Sequence, residues 1–169
     1  TPKLNLNREI EGNDFRSKFV NNLKDLNVAS QRGLVETFDS TIGATTVLMP
    51  FGGKYQLTPA EVLVQKVSVI NAETDVASMV GYGYNPYVAK QSTFHGGAYA
   101  VIESMAKVVA GGGNYKNIRF TFQEYFERLG QDSKKWGRPL SALLGALHIQ
   151  KAFVLQIGRA HVWTPVTPR

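Results

Sequence analysis

The chain has 169 residues, 43% hydrophobic and 19% charged, a balance that suits one domain with a core of its own and argues against disorder. It has no cysteine, which excludes disulfides, thiolate metal clusters and a cysteine nucleophile, and no apolar run approaches the ~20 residues of a membrane-spanning helix. The net charge of +6 comes from scattered lysines and arginines, and the densest group, Lys134-Lys135-Trp136-Gly137-Arg138, reads as a solvated loop rather than a nucleic-acid patch.

No charged-then-apolar leader opens the sequence. The expectation is therefore a cytoplasmic protein with neither a nucleic-acid nor a membrane partner. Residues 1–12 are polar and unpatterned and read as a linker. Phe15, Phe19, Leu23 and Leu26 then fall on one stripe of a helix over 14–26, with Asn13 or Asp14 as its cap. Ser30 is placed to start a second short helix with Leu34, Val35 and Phe38 inward. Thr45 to Met49 is β-branched and apolar and reads as a strand stopped by Pro50. Phe51-Gly52-Gly53-Lys54 is a glycine turn. Thr58-Pro59-Ala60-Glu61 could open a helix, but the valines at 62, 64 and 67 favour a strand over 61–69.

Asp75 to Tyr82 is a further strand, ended by Gly83 and Asn85-Pro86. The clearest helix covers 94–110, where Ala98, Val101, Ile102, Met105, Val108 and Val109 form a broad apolar face that Gly111-Gly112-Gly113 terminates. Ile118 to Phe122 alternates as a strand, and 122–129 turns helical with Tyr125, Phe126 and Leu129 inward. Pro139 opens a last helix through Leu140, Leu143, Leu144, Leu147 and Phe153. The fold class expected is α/β (α+β), a mixed sheet of about four strands with helices packed on one face.

The stretch Ile157-Gly-Arg-Ala-His-Val-Trp-Thr-Pro-Val-Thr167 resembles a common sequencing adapter translated in one frame, with a stop codon read as Trp163. Residues 157–169 are accordingly expected to be a non-native tail. Setting aside Arg159 and Arg169 takes the basic count from 19 to 17 against 13 acidic residues, a balance of +4.

Several segments together resemble one enzyme family. They are Asn27-Val-Ala-Ser-Gln-Arg-Gly-Leu-Val-Glu36, Phe38-Asp-Ser-Thr-Ile-Gly43, Val47-Leu-Met-Pro-Phe-Gly-Gly-Lys-Tyr-Gln-Leu-Thr-Pro59, Gly83-Tyr-Asn-Pro-Tyr87, Phe94-His-Gly-Gly-Ala98, Thr121-Phe-Gln-Glu-Tyr-Phe-Glu-Arg-Leu-Gly130 and Leu143-Leu-Gly-Ala146. In order and spacing they resemble the large, single-chain phosphoribosylformylglycinamidine synthases, and they cover residues 27 to about 153. The resemblance is to the second synthetase-like half, in the N-terminal subdomain of the aminoimidazole-ribonucleotide-synthetase superfamily. It divides the chain into 1–26, a linker and helix from the preceding region, and 27–156, an incomplete subdomain.

The resemblance implies a four-stranded sheet that packs against its counterpart from the other half, leaving one apolar sheet face uncovered in this piece. It also implies ATP or ADP and Mg2+ as cofactors. The implied partners are the remainder of the same long chain, including a glutaminase domain, and a purine-pathway ribonucleotide substrate. The implied reaction is a ligase step. ATP activates the amide oxygen of formylglycinamide ribonucleotide, and ammonia from glutamine then displaces phosphate to leave the amidine. The family's Gly-Gly-Lys-Asp-Ser-Met segment does not occur here, so the piece alone is expected to be inactive. A second reading makes this half a non-catalytic scaffold around a structural nucleotide.

By the same resemblance Glu61 and Glu103 are the expected magnesium ligands, since hard carboxylate oxygens suit that ion. Where some relatives carry an amide one turn after Glu103, this chain has Lys107, which could meet phosphate, signal lost metal binding, or form an ordinary i,i+4 pair. His95, Gly96 and Gly97 stand at the start of the long helix, where free N–H groups and the helix dipole favour an anion; a tight turn is the plainer reading. His95 has no visible partner for acid–base work. Gly52-Gly53-Lys54 lacks the phosphate-loop spacing and reads as a hairpin turn. Asp39 and Asp75 could be ligands or caps. Tyr82, Tyr84, Tyr87 and Phe94 form an aromatic group suited to base stacking or, more commonly, to packing.

Overall fold

The computed structural model describes residues 3–5, 7–38 and 45–163, with residue 38 and residues 157–163 described by their backbone alone. Asp39 and the inward placement of Phe38 lie outside what is described. The chain divides into two units. The N-terminal unit is Asn5–Ala60 with Gln65–Ala77; the helical unit is Glu61–Val64 and Ser78–Arg169 with Thr1–Leu4.

In the N-terminal unit, α1 (Phe15–Lys24) starts where the sequence places it. Asp14 Oδ1 accepts from the Ser17 N–H at 2.7 Å, and the Asp14 N–H donates to Ser17 Oγ at 3.2 Å, a reciprocal capping box. The apolar stripe of Phe15, Phe19 and Leu23 forms but finds no core, all three being exposed; α1 ends two residues short of the expected helix, so Leu26, also exposed, lies in the turn beyond it. Next comes α2 (Arg32–Phe38), with Ser30 Oγ accepting from the Arg32 N–H at 3.3 Å. The strand expected over Thr45–Met49 reduces to a single bridge, Thr46 to Gln65.

The glycine turn forms a two-rung antiparallel hairpin of β1 (Phe51–Gly52) and β2 (Thr58–Pro59), with Gly53 at φ +80° and the Gln56 N–H bonded to the Gly53 carbonyl at 3.1 Å. Thr58-Pro59 is thus strand rather than a helix start. Pro59 has no N–H to donate to a further neighbour. Among the described residues of this unit none is buried.

The elements that follow are β3 (Val62–Lys66), β4 (Ala77–Gly81), α3 (Pro86–Gln91), α4 (Thr93–Ala110), a short 3-10 turn at Tyr115–Asn117, β5 (Arg119–Tyr125), α5 (Ser133–Phe153) and β6 (Gln156–Trp163). The mixture of helix and strand matches the α+β expectation, but the single sheet of about four strands does not form. Among the described residues the strands pair two by two, β1 with β2, β3 with β4 and β5 with β6. The pairing of β6 with β5 is parallel, with a register shift after Phe120. It is carried by main-chain groups that any non-proline sequence supplies.

The core of the helical unit lies around α4. Val101, only 1% exposed, packs with Met105, Phe120 and Ala146, while Val108 packs with Val62 and Val64. Strand alternation puts Val62 and Val64 on the α4 side and leaves Leu63 outward; on β4 Met79 packs inward and Val80 is exposed. The expected α4 face holds except at Val109, which is exposed.

Three local readings are corrected. Asn85-Pro86 does not merely end a strand; Asn85 Oδ1 accepts from the Tyr87 and Val88 N–H groups, each at 3.1 Å, and Pro86 fills the first turn of α3. Residues 122–125 continue β5 rather than turning helical, because Phe120, Phe122 and Glu124 alternate inward with period two; Tyr125 is therefore exposed while Leu129 is buried.

The third correction concerns α5, which starts at Ser133, capped by Asp132, so Pro139 lies inside it. The basic group Lys134–Arg138 is consequently helix, not loop. Lys135 and Arg138 both pair with Glu127 at 3.1 Å, and Trp136 Nε1 donates to the Gly130 carbonyl at 2.9 Å. The buried face of α5 is Pro139, Gly145, Ala146 and Gln150, not the leucine stripe; Leu140, Leu144, Leu147 and Phe153 are exposed. Small residues win because α5 lies so close to α4 that a Cβ at Gly145 would overlap the Phe94 carbonyl oxygen. No helix among the described residues is long and apolar enough to cross a membrane.

Candidate functional site

One helical turn of α4 carries Glu103 and Lys107 on the same side. The chain leaving β4 crosses that turn closely. A Cβ at Gly81 would stand 3.0 Å from the Ser104 carbonyl oxygen, and one at Gly83 would overlap the Ala100 carbonyl oxygen. Two glycines thus allow Tyr82 and Tyr84 to meet the helix. Glu61 arrives from the start of β3, whose Val62 and Val64 are anchored against Val108.

The three elements converge on one ammonium group. Lys107 Nζ lies 2.9 Å from Glu103 Oε1 and 3.1 Å from Glu61 Oε2, and 4.2 Å from the centroid of the Tyr82 ring. The other Glu103 oxygen, Oε2, accepts from the Tyr84 N–H at 3.1 Å, so both ends of that carboxylate are engaged. The Lys107 side chain is only 14% exposed, against 38% for Glu103 and 60% for Glu61. Burial pulls the Lys107 pKa down, but its hydrogen bonds and attraction to Glu103 and Glu61 together outweigh that and hold it above the ordinary lysine value. Lys107 also lies in the last turn of α4, where the helix dipole favours a cation.

The other predicted group sits at the opposite end of the same helix. Twelve residues separate His95 from Lys107, about 18 Å along the axis at 1.5 Å per residue. Ser92 caps α4, its Oγ accepting from the His95 N–H at 3.4 Å and lying 2.8 Å from His95 Nδ1. The ring therefore has a hydroxyl partner that the sequence did not reveal. Both glycines are used for packing within the unit: a Cβ at Gly96 would stand 2.8 Å from Ala89 Cα of α3, and one at Gly97 would overlap the Ala142 carbonyl oxygen of α5. The space beside them is filled by this chain's own backbone and methyl groups.

These placements test the expected cofactors. Magnesium does not fit the Glu61–Glu103 pair as it stands, because the Lys107 ammonium lies within hydrogen-bond distance of both carboxylates, where a divalent ion would have to bind. Among the described residues no cluster of three or more acidic or histidine side chains offers another metal site. A phosphate cradle does not fit Gly96 and Gly97, since the volume freed by the missing side chains is already occupied. Lys107 faces two carboxylates, which repel phosphate. Gly52-Gly53 serves the β1–β2 hairpin, and Lys54 lies over the Tyr55 ring at 5.4 Å.

Sequence reasoning missed Tyr82 and the Tyr84 N–H as members of the site. Their signal was available in Gly81 and Gly83, which flank Tyr82 and mark a close backbone approach. Comparison of the chain with protein-family models, curated proteins and solved structures finds no match in any of the three.

Proposed function

We propose that residues 27–156 are part of the second synthetase-like half of a phosphoribosylformylglycinamidine synthase, a glutamine- and ATP-dependent ligase that turns formylglycinamide ribonucleotide into its amidine. What supports this reading is the series of segments from Asn27-Val-Ala-Ser-Gln-Arg-Gly to Leu143-Leu-Gly-Ala146, which resemble that family's segments in order and spacing. The β3–β4 pair is consistent with it: α4 lies against its inward side at Val62, Val64 and Met79, while Leu63 of β3 and Val80 of β4 are left exposed outward. Such a face suits a partner sheet from the rest of a longer chain. That remainder would also supply the glutaminase and the phosphate- and metal-holding groups that the described residues of the helical unit do not assemble.

ATP, when bound in such a ligase, supplies the phosphate that activates the substrate amide. What this chain's own residues do is narrower. Glu103 holds the Tyr84 N–H and Lys107, and Lys107 binds Glu61, so the site ties the start of β3 and the segment after β4 to α4. The engagement of Lys107 by both carboxylates specifically favours the scaffold version of this reading, in which this half positions the fold and the other half performs the chemistry.

The test is segment replacement. A synthase gene whose matching region is exchanged for residues 27–156 is expected to restore growth of a purine-requiring strain without added purine. A chimera that is made, folded and soluble yet gives no glutamine-dependent amidine formation would overturn the assignment. Glu61→Gln and Glu103→Gln in the active chimera then separate the two versions. The scaffold version expects turnover per folded molecule to stay within about threefold of the parent, the catalytic version a loss of about 100-fold or more.

A further inference from the structure

The carboxylates of Glu61 and Glu103 come from positions 42 residues apart and meet on one side of α4. Two such groups at one point would ordinarily attract a hard cation. Here the cation is part of the chain. We propose that the Lys107 ammonium is a tethered counter-ion that fills the Glu61–Glu103 pair and closes it to divalent metal ions, and that removing the ammonium opens a divalent-cation site.

Four features fix Lys107 in this role. Its Nζ lies within hydrogen-bond distance of both carboxylates, 2.9 Å from Glu103 and 3.1 Å from Glu61. The Tyr82 ring stands 4.2 Å from it and offers its electron-rich face. The Tyr84 N–H holds the second Glu103 oxygen, so that carboxylate does not turn freely toward another ion. The last turn of α4 contributes the negative end of a helix dipole.

A metal entering this pair must displace a group that is covalently attached and largely buried. The displaced ammonium would remain close to the metal and repel it. A single charge repels a divalent ion twice as strongly as a monovalent one at the same distance, and more strongly beside protein than in water. A tethered competitor is present at a high effective concentration whatever the metal concentration in solution. The site therefore keeps its cation without depending on magnesium supply. This role does not require that the chain belong to a ligase.

Mn2+ is the probe, because it shares magnesium's preference for oxygen ligands and broadens nearby nuclear resonances. In the wild-type chain at neutral pH, millimolar Mn2+ is expected to leave the amides of residues 61, 82, 84 and 103 no broader than those of distant residues. Lys107→Gln, with an unchanged circular dichroism spectrum, is expected to bind Mn2+ at least about tenfold more tightly than wild type, with broadening centred on 61 and 103. Adding Glu61→Gln should abolish the gain. A wild-type chain that binds Mn2+ at Glu61 and Glu103 overturns the proposal. So does a folded Lys107→Gln chain with no gain in affinity. If Lys107→Gln does not fold, Lys107→Met provides the same test, and the wild-type experiment stands by itself.

Discussion

The helical unit and the N-terminal unit both carry many apolar residues, yet among the described residues only the helical unit has a buried interior. In the helical unit α4 buries Ala98, Val101, Met105 and Val108 against neighbours on β3, β5 and α5. In the N-terminal unit α1 has as regular an apolar stripe and a better cap, and every residue of that stripe is exposed. Amphipathic spacing and capping are thus enough to shape a helix, but burial requires a facing surface at close range. The helical unit obtains that surface from small residues: Gly96 meets Ala89, Gly97 meets Ala142, and Gly145 meets the Phe94 carbonyl. The candidate site lies on the same unit, where Glu61, Tyr82 and Glu103 converge on the Lys107 ammonium.

Truncation is the strongest way to break this contrast. Phe120→Ala removes a ring that is 6% exposed and should cost about 3–5 kcal/mol in urea denaturation. Phe15→Ala removes one that is 85% exposed and should change stability by no more than about 0.5 kcal/mol. Equal effects would mean that α1 has a partner or that Phe120 lacks one.

Glycine replacement sharpens the contrast next. Gly145→Ala forces a Cβ into the Phe94 carbonyl and should destabilise by about 1–3 kcal/mol. Gly33→Ala, in α2 with nothing within 4 Å of its new Cβ, should stabilise that helix by about 0.5–1 kcal/mol. Thermal melts of the two variants are expected to move in opposite directions.

Titration separates the units by smaller amounts. The Lys107 pKa is raised on folding, so its contribution is complete below the ordinary value of 10.5 and is lost as pH rises through the higher folded value. The stability advantage of wild type over Lys107→Met should accordingly shrink above about pH 10.5; parallel curves across that range would contradict it. In the N-terminal unit the Ser17 N–H, with the Ser17 hydroxyl, lowers the Asp14 pKa below its ordinary 3.8. That contribution is present above pH 3.8 and is lost as pH falls through the lower folded value. The Ser17 amide resonance should report fraying of α1 in acid, with no matching change in α4.

Much of this architecture is legible from residue spacing alone. The face of α4 follows from the helical repeat, β3 from its alternating valines, and the α1 cap from Asp14. What escapes depends on tertiary contact. Pro139 suggests a helix start by its fixed φ, yet Asp132, Glu127 and Gly130 stabilise two earlier turns. The leucines of α5 are among its largest aliphatic side chains, but close approach to α4 selects Gly145 and Ala146 for the interior. Glu103 and Lys107 are recognisable as neighbours because they are four apart on one helix. Tyr82 is signalled only by the glycines on either side of it, and the arrival of Glu61 depends on how β3 passes over α4, which no local pattern encodes.

The most direct measurement is the nuclear magnetic resonance signal of the Lys107 side-chain ammonium. Held between Glu61 and Glu103, it should give a resolved, slowly exchanging signal that loses its proton at higher pH than an ordinary lysine and collapses in Glu103→Gln. An ammonium that exchanges as fast as a freely exposed lysine and loses its proton at the ordinary value of 10.5 would contradict the enclosed ion pair and the reading built on it.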